Sequence, residues 1–435
     1  MKVGNGKTRK LRIDPYIFIP IILLSVIGIV ALLSTTIGSD GTFQDLSIVY
    51  KQIAFVVVGL GVYLLTAMID VSLFRYIQIV IPIYILTLLL LGSVFLFGPV
   101  INNVQRWLVI GGIQLQPSEI AKITVILVTA GIFSFKDRYN QWLLFLISFV
   151  AVLPIFFLVY LEPAGSMSLL ILVIWFLVAF TGLSNQLRNS IALIVITLLS
   201  SAFFLISFTG NWMYILLGIA AVILTILSYY YRDNWRLLIV ISFLVGIIIG
   251  SSSVVLYRSV LKEYQKDRIE AFLNPTESTE DIGFNVNQAR IAIGSGQIWG
   301  KGFGNGTQSK RDFLPEHQTD FIFASFAEEF GLVGSLLLLT LFGVIIVRIL
   351  SVSVDNASNS FFSIVLIGIA MKILLEVFVN IGTNVGVIPA TGIPLPLISA
   401  GGTITVMTLF SLGVVQSIIN RGNVHKSSKN IIDNY

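Results

Sequence analysis

The feature that most constrains this 435-residue chain is a succession of apolar runs separated by short polar breaks. Each run is close to the roughly 20 residues that a helix needs to cross about 30 Å of hydrocarbon. A chain in that medium must satisfy its backbone hydrogen bonds internally, so only helices or a closed barrel can span it. A barrel would show short alternating segments, which these runs are not. With 56% hydrophobic and only 11% charged residues, the composition also excludes an ordinary soluble domain. The expected fold class is therefore an all-α polytopic membrane protein with about 10–12 transmembrane helices.

Twelve spans can be drawn, at 15–36, 50–69, 76–98, 118–134, 142–160, 167–183, 189–208, 213–230, 237–256, 320–347, 361–382 and 403–420. Lys and Arg gather on one side of them: the N-terminal cluster from Lys2 to Arg12, then Arg75, Lys136, Arg138, Arg188, Arg232, Arg236, Arg348 and the tail from Arg421. The bias assigns that side to the cytoplasm, together with both termini. The basic flank of the first run resembles a signal peptide, but no clean small-residue cleavage site follows, and a retained helix is expected. The resulting organisation is a basic N-terminus (1–14), about nine spans (15–257), a large extracellular loop (258–319), about three spans (320–420) and a basic tail (421–435). Within the last group, 383–402 carries three prolines among glycines in an apolar context and is predicted to be a broken, re-entrant segment.

The absence of cysteine rules out disulfides and thiol chemistry, and His317 and His425 are the only histidines. A formal charge of +5, concentrated at the termini, suits anionic lipid rather than nucleic acid. Chemistry is expected in the one long polar stretch, 272–329, because a plain link between helices needs only a few residues. It contains Glu277, Glu280 and Asp281, then glycine-rich runs at 294–296 and 300–306. These glycines suit tight turns and close approach to a ligand, but no GK[ST] opens a helix, so this is not a phosphate loop.

Three further groups stand out. Arg106 and Trp107 precede Gln116-Pro117-Ser118-Glu119, and Glu119 and Lys122 lie three apart on one helix face. Helix capping with an interfacial Trp is the plain reading, and an anion site for a lipid pyrophosphate, held by Arg106 or Lys122, is the functional one. Glu162-Pro163-Ala164-Gly165-Ser166 reads as a tight outer turn with little chemistry of its own. Glu316, His317 and Asp320 lead into the tenth span, with Glu328 and Glu329 beyond them. One histidine argues against a zinc triad, and Mg²⁺ or Mn²⁺ with oxygen ligands fits such a set better.

Taken in order, Gln105-Arg106-Trp107, the 116–122 run, Gly306-Thr307-Gln308, the 313–331 run and the 380–399 run resemble the shape, elongation, division and sporulation (SEDS) family of peptidoglycan glycosyltransferases. The similarity covers nearly the whole chain and leans to the elongation (RodA) branch over the division (FtsW) branch. It implies an enzyme that polymerises lipid II at the outer face of the bacterial cytoplasmic membrane during elongation, without an organic cofactor. It also implies that an aspartate of the large loop is essential. By position this is Asp281, although relatives often place the acid nearer the Asn-Pro pair, which leaves Glu277 and Glu280 as alternates. Arg106, Trp107, Glu119, Lys122, Glu316, His317 and Asp320 are the expected substrate-binding residues, the metal being unassigned between Mg²⁺, Mn²⁺ and none. Implied partners are the growing glycan chain, a class B penicillin-binding protein and elongation-complex membrane proteins. A lipid-precursor flippase and a scaffold for a transpeptidase are the readings from other classes. The chain departs from the family at Glu162-Pro163-Ala164-Gly165-Ser166, where relatives read QPDLGT, and at Ala400, where they often carry an aromatic. It also shows nine spans before the large loop instead of seven, the additional pair falling within 189–256.

Overall fold

The computed structural model describes residues 12–38, 42–43, 45–100, 104–184, 282–308 and 316–432. Packing divides the chain into a unit of Met1–Gly182 with Asn274–Tyr435 and a second of Leu183–Leu273. All but Leu183 and Ser184 of the described residues belong to the first unit. Its elements are α1 (Pro15–Thr35), α2 (Ser47–Met68), a short 3-10 turn (Val71–Arg75), α3 (Ile77–Phe97), strands β1 (Leu108–Ile110) and β2 (Ile113–Leu115), α4 (Pro117–Phe133), α5 (Gln141–Leu161), α6 (Gly165–Gly182), α7 (Ile282–Gly296), α8 (Ile322–Asp355), α9 (Ser360–Asn384) and α10 (Gly402–Ile432). Eight are long and apolar enough to cross a membrane: α1, α2, α3, α5, α6, α8, α9 and the Gly402–Arg421 part of α10. α4, with 17 residues, is the ninth of the expected spans found. Those expected at 189–208, 213–230 and 237–256 lie outside the described residues.

Local chemistry explains where the helices begin. Asp14 caps α1 by accepting from the Tyr16 amide at 3.0 Å, with Pro15 in the first turn. Asn140 and Asn359 cap α5 and α9 in the same way. Pro117 opens α4, which packs against α3, α5, α6 and α9 and buries 13 of its residues. A helix covered by its neighbours over most of its surface need not itself match the bilayer thickness, in keeping with its shorter length.

Two departures from regular helix position the rest. The first is the break in α8 at Gly331, whose φ of 64° and ψ of −162° fall in a region open essentially to glycine alone. Backbone groups released there are taken up by the glycine-rich loop after α7. Lys301 and Gly302 amides donate to the Glu328 and Glu329 carbonyls at 3.0 and 2.9 Å, while Leu332 and Val333 amides donate to Gln297 and Ile298 carbonyls at 2.9 and 3.1 Å. The second is the non-helical segment 385–401. Its backbone at Leu397 and Ile398 lies against Gly28, seven residues before the end of α1 and so about 10 Å inside it. Such backbone is tolerated at membrane depth only when buried in protein, and residues 395–399 are buried. The expected broken segment is thus present, and the large loop contributes a helix, α7, that periodicity did not reveal.

A Cβ at residue 331 would lie 2.4 Å from the Gly300 nitrogen. Gly331→Ala should therefore destabilise the fold by at least about 1–3 kcal/mol, read as a lower thermal midpoint of the detergent-purified chain. An unchanged midpoint would show that the break is not glycine-dependent.

Candidate functional site

At the end of α3, the Gln105 amide donates to the Gly98 carbonyl at 2.7 Å, turning the chain into a small antiparallel hairpin. Gly111 and Gly112 close it with φ of 59° and 80°, the two positive values that a tight type I′ turn requires. The hairpin is fixed to the start of α10: the Gln116 amide donates to the Thr403 hydroxyl at 3.0 Å, and that hydroxyl donates to the Gln114 carbonyl at 3.0 Å. Trp107 is half-buried beside it. The Arg106 guanidinium reaches across to the α5–α6 turn, donating to the main-chain carbonyls of Glu162 (3.4 Å) and Pro163. Glu162 itself is 1% exposed, and neither carboxyl oxygen has a hydrogen-bond partner among the described residues. Burial pushes this carboxyl up to about 8, against the opposing pull of Arg106. A turn that read as bland thus contains a buried acid whose oxygens lack hydrogen-bond partners among the described residues.

Glu119 and Lys122 are brought together as their spacing predicted, but inside the bundle. Lys122 donates to Glu119 at 2.8 Å and to Glu376 of α9 at 2.5 Å, and Lys372 donates to the other Glu376 oxygen at 2.9 Å. All four side chains have 0% exposure. Two cations and two anions cancel, the arrangement in which buried charge is tolerable. Lys372 and Glu376 were not singled out from the sequence, although ionisable residues within an apolar span are the signal that finds them.

The polar face of α9 continues through Asn380 and Asn384. Both amides donate to the Asp320 carbonyl at 2.9 Å, Asn380 also donates to the Ile393 carbonyl at 2.9 Å, and Asn384 accepts from the Ala324 amide at 3.0 Å. Ser399 accepts from the Leu395 amide and donates to the Thr319 carbonyl at 2.6 Å. The segment holding Glu316, His317 and Asp320 is thereby locked to the non-helical segment 385–401, and Glu316, with φ of 53°, accepts from Thr319 at 2.8 Å. α7 packs on the same end through Ala289 and Ala292 against Phe321 and Ala324. Below it, Glu328 accepts from Lys301 (2.6 Å) and from the Thr307 hydroxyl and amide (2.6 and 2.9 Å), while Glu329 accepts from Ser34. Among the described residues no three acids or histidines gather as metal ligands, so Glu316, His317 and Asp320 do not form a metal site by themselves. Asp281, Glu277 and Glu280 lie outside the described residues; α7 begins at the residue after Asp281.

A mostly helical, membrane-spanning chain with an amide-lined, non-helical segment beside an Arg-bearing hairpin defines the class. The family model for FtsW, RodA and SpoVE cell cycle proteins matches residues 15–214 and 213–423, and the chain belongs to that family. It is 32% identical over 427 residues to the peptidoglycan glycosyltransferase MrdB of Escherichia coli K12, covering 95% of this chain and 96% of the relative. It is 30% identical over 426 residues to a probable peptidoglycan glycosyltransferase FtsW of Enterococcus hirae, covering 95% and 94%. Among solved structures, a chain of a peptidoglycan synthase complex that coordinates polymerization and crosslinking superposes with a TM-score of 0.65 at 24% identity, covering 95% of this chain and 98% of that one. The rod shape determining protein RodA of Thermus thermophilus superposes with a TM-score of 0.57 at 24% identity, covering 94% and 97%.

Glu376 bridges both lysines, so its loss would leave two buried ammonium groups facing Glu119 alone. Glu376→Ala should cost about 3–5 kcal/mol, and the charge-free quadruple change Glu119→Gln, Lys122→Met, Lys372→Met, Glu376→Leu should recover much of it in thermal melts. Glu162 gives a pH signature of known sign. Its carboxyl stays protonated in the fold up to about 8 but ionises near 4.5 when unfolded, so the stability of the fold declines as pH rises across that window. Glu162→Gln removes this term. The variant should therefore gain in melting temperature relative to the parent as pH is raised from 5 to 9, and a constant difference would refute the assignment.

Proposed function

We propose that this chain is a peptidoglycan glycosyltransferase that polymerises lipid II into glycan strands at the outer face of the bacterial cytoplasmic membrane, serving elongation and cell shape. The observation that carries the reading is the 32% identity to MrdB across 95% of the chain. The geometry supports it through a continuous set of contacts, running from the hairpin to α10, the re-entrant segment, the start of α8 and α7. This set joins Arg106 to the helix that follows Asp281 although the two are far apart in sequence.

In the proposed reaction the acceptor hydroxyl oxygen forms a bond to the anomeric carbon of the donor, and the bond from that carbon to the lipid pyrophosphate breaks. The Asp281 carboxylate takes the hydroxyl proton, with Glu277 and Glu280 as alternates, and the electron pair leaves on the pyrophosphate. Arg106, half-buried on the hairpin, holds that anion. Glu119 and Lys122 act through position, fixing the start of α4 from within. Trp107 packs against lipid or sugar, where amphipathic rings are stable. The segment from Glu316 through His317 to Asp320 seats the loop on the re-entrant chain. So good a leaving group requires no general acid, unlike a paired-acid glycosidase site. The described residues do not by themselves gather a three-ligand set for Mg²⁺ or Mn²⁺.

The chain carries no SxxK with its companion motifs, so cross-linking falls to a partner, proposed to be a class B penicillin-binding protein. Purified protein supplied with lipid II should make glycan chains, and Asp281→Ala should abolish them. Arg106→Ala should lower kcat/KM by at least about tenfold, the scale of one charge-assisted contact. Transbilayer movement of lipid II without polymer would instead identify a flippase, and chain growth that ceases on chelation would establish a metal requirement.

A further inference from the structure

A cavity of about 420 Å³ opens between α3, α4 and α5 at the opposite end of these helices from the hairpin. Its walls are Val80 and Ile81 of α3 and Ile147 of α5, and its floor is the last turns of α4 around Gly131 and Ile132. The mouth is lined by Arg75 and by Tyr139, both exposed. The inner end is closed, because the Tyr84 hydroxyl of α3 donates to the Ala151 carbonyl of α5 at 2.7 Å. From Ile77 to Tyr84 the slot runs about seven residues of helix, or roughly 10 Å, into the bundle.

A slot that ends after that length does not suit a transmembrane partner helix, which is about 10–12 Å across and needs a seam along its whole length. It suits one flexible apolar chain. Arg75 is the cation at its mouth and makes no ion pair among the described residues, whereas Asp70, the neighbouring acid, is held by Arg421. The Lys/Arg bias assigns this end to the cytoplasmic leaflet, the one with the negative surface potential.

We propose that this slot binds one anionic phospholipid of the cytoplasmic leaflet, with an acyl chain between α3 and α5 and the headgroup phosphate on Arg75. The site lies apart from the glycosyltransferase residues and does not rest on that reading. Gly131 supplies the probe, since a side chain there would meet nothing within 4 Å and would project into open space. The detergent-purified full chain is incubated with phosphatidylglycerol or phosphatidylcholine and examined by native mass spectrometry, with thermal melts confirming the fold of each variant. The expected result is one retained phosphatidylglycerol per chain, kept in Gly131→Ala, lost in Gly131→Leu, and bound by Arg75→Gln with its preference over phosphatidylcholine reduced about fivefold. Equal retention by the parent and Gly131→Leu would overturn the proposal, as would an unchanged headgroup preference in Arg75→Gln. A lipid-free dimer that Gly131→Leu disrupts would overturn it in favour of a second copy of the chain.

Discussion

The structure depends on a polar stripe placed where a bilayer least tolerates one. Lys372, Glu376, Asn380 and Asn384 recur every four residues along α9, so they share one face of a helix that is otherwise apolar enough to span. Unpaired, each would carry a desolvation penalty of several kcal/mol or a shifted charge state. Paired, they determine what lies beside α9. Glu376, braced by Lys372, holds α4 through Lys122, and the two amides hold the start of α8 and the non-helical segment 385–401 through the carbonyls of Asp320 and Ile393. One helix face thereby sets the position of both halves of the candidate site.

That arrangement explains how so much irregular backbone persists among spanning helices. The segment 385–401 cannot form its own ladder, and its groups are met by side chains: Asn380 for Ile393, Ser399 for Leu395 and Gln52 for the Gly401 amide. The break in α8 is met by backbone from the glycine loop instead, and this requires the two chains to approach within the radius of a methyl group. Glycine at 300 and 331 permits that approach from both sides. Glu328 then holds the loop through Thr307, and Glu329 joins the Gly306 amide to Ser34 of α1, so these acids serve as anchors rather than as solvent-facing charges.

Much of this was legible in the sequence wherever a period or a composition carried it. Apolar length located nine helices, seven of them to within three residues at both ends, while α8 and α10 run on past the expected 347 and 420, and clustered proline located the broken segment. The Glu119–Lys122 pair followed from helix geometry, but its burial did not, because the partner that permits burial, Glu376, is more than 250 residues away. Glu162 was read as a turn for the same reason: nothing local shows that both its oxygens are enclosed. The hairpin had a usable signal in Gly111-Gly112 between apolar runs, masked by the surrounding hydrophobicity. α7 was hidden by its glycines and asparagines, which obscure a helical period even though Ala289 and Ala292 mark its packed side.

Burial also separates the two cations that the sequence placed in one role. A direct ligand for a pyrophosphate must present donors to a substrate that arrives from outside. Lys122 has 0% exposure and bonds to two carboxylates, so its charge is neutralised where it stands. Arg106 is half-buried beside the hairpin and donates to the Glu162 and Pro163 carbonyls, neutral acceptors that orient a guanidinium. A neutral carbonyl takes less from a cation's field than a carboxylate does. The neighbouring Glu162 would cancel that field if it were ionised. Burial raises the Glu162 carboxyl to about 8, so near neutral pH it does not add a full negative charge beside Arg106.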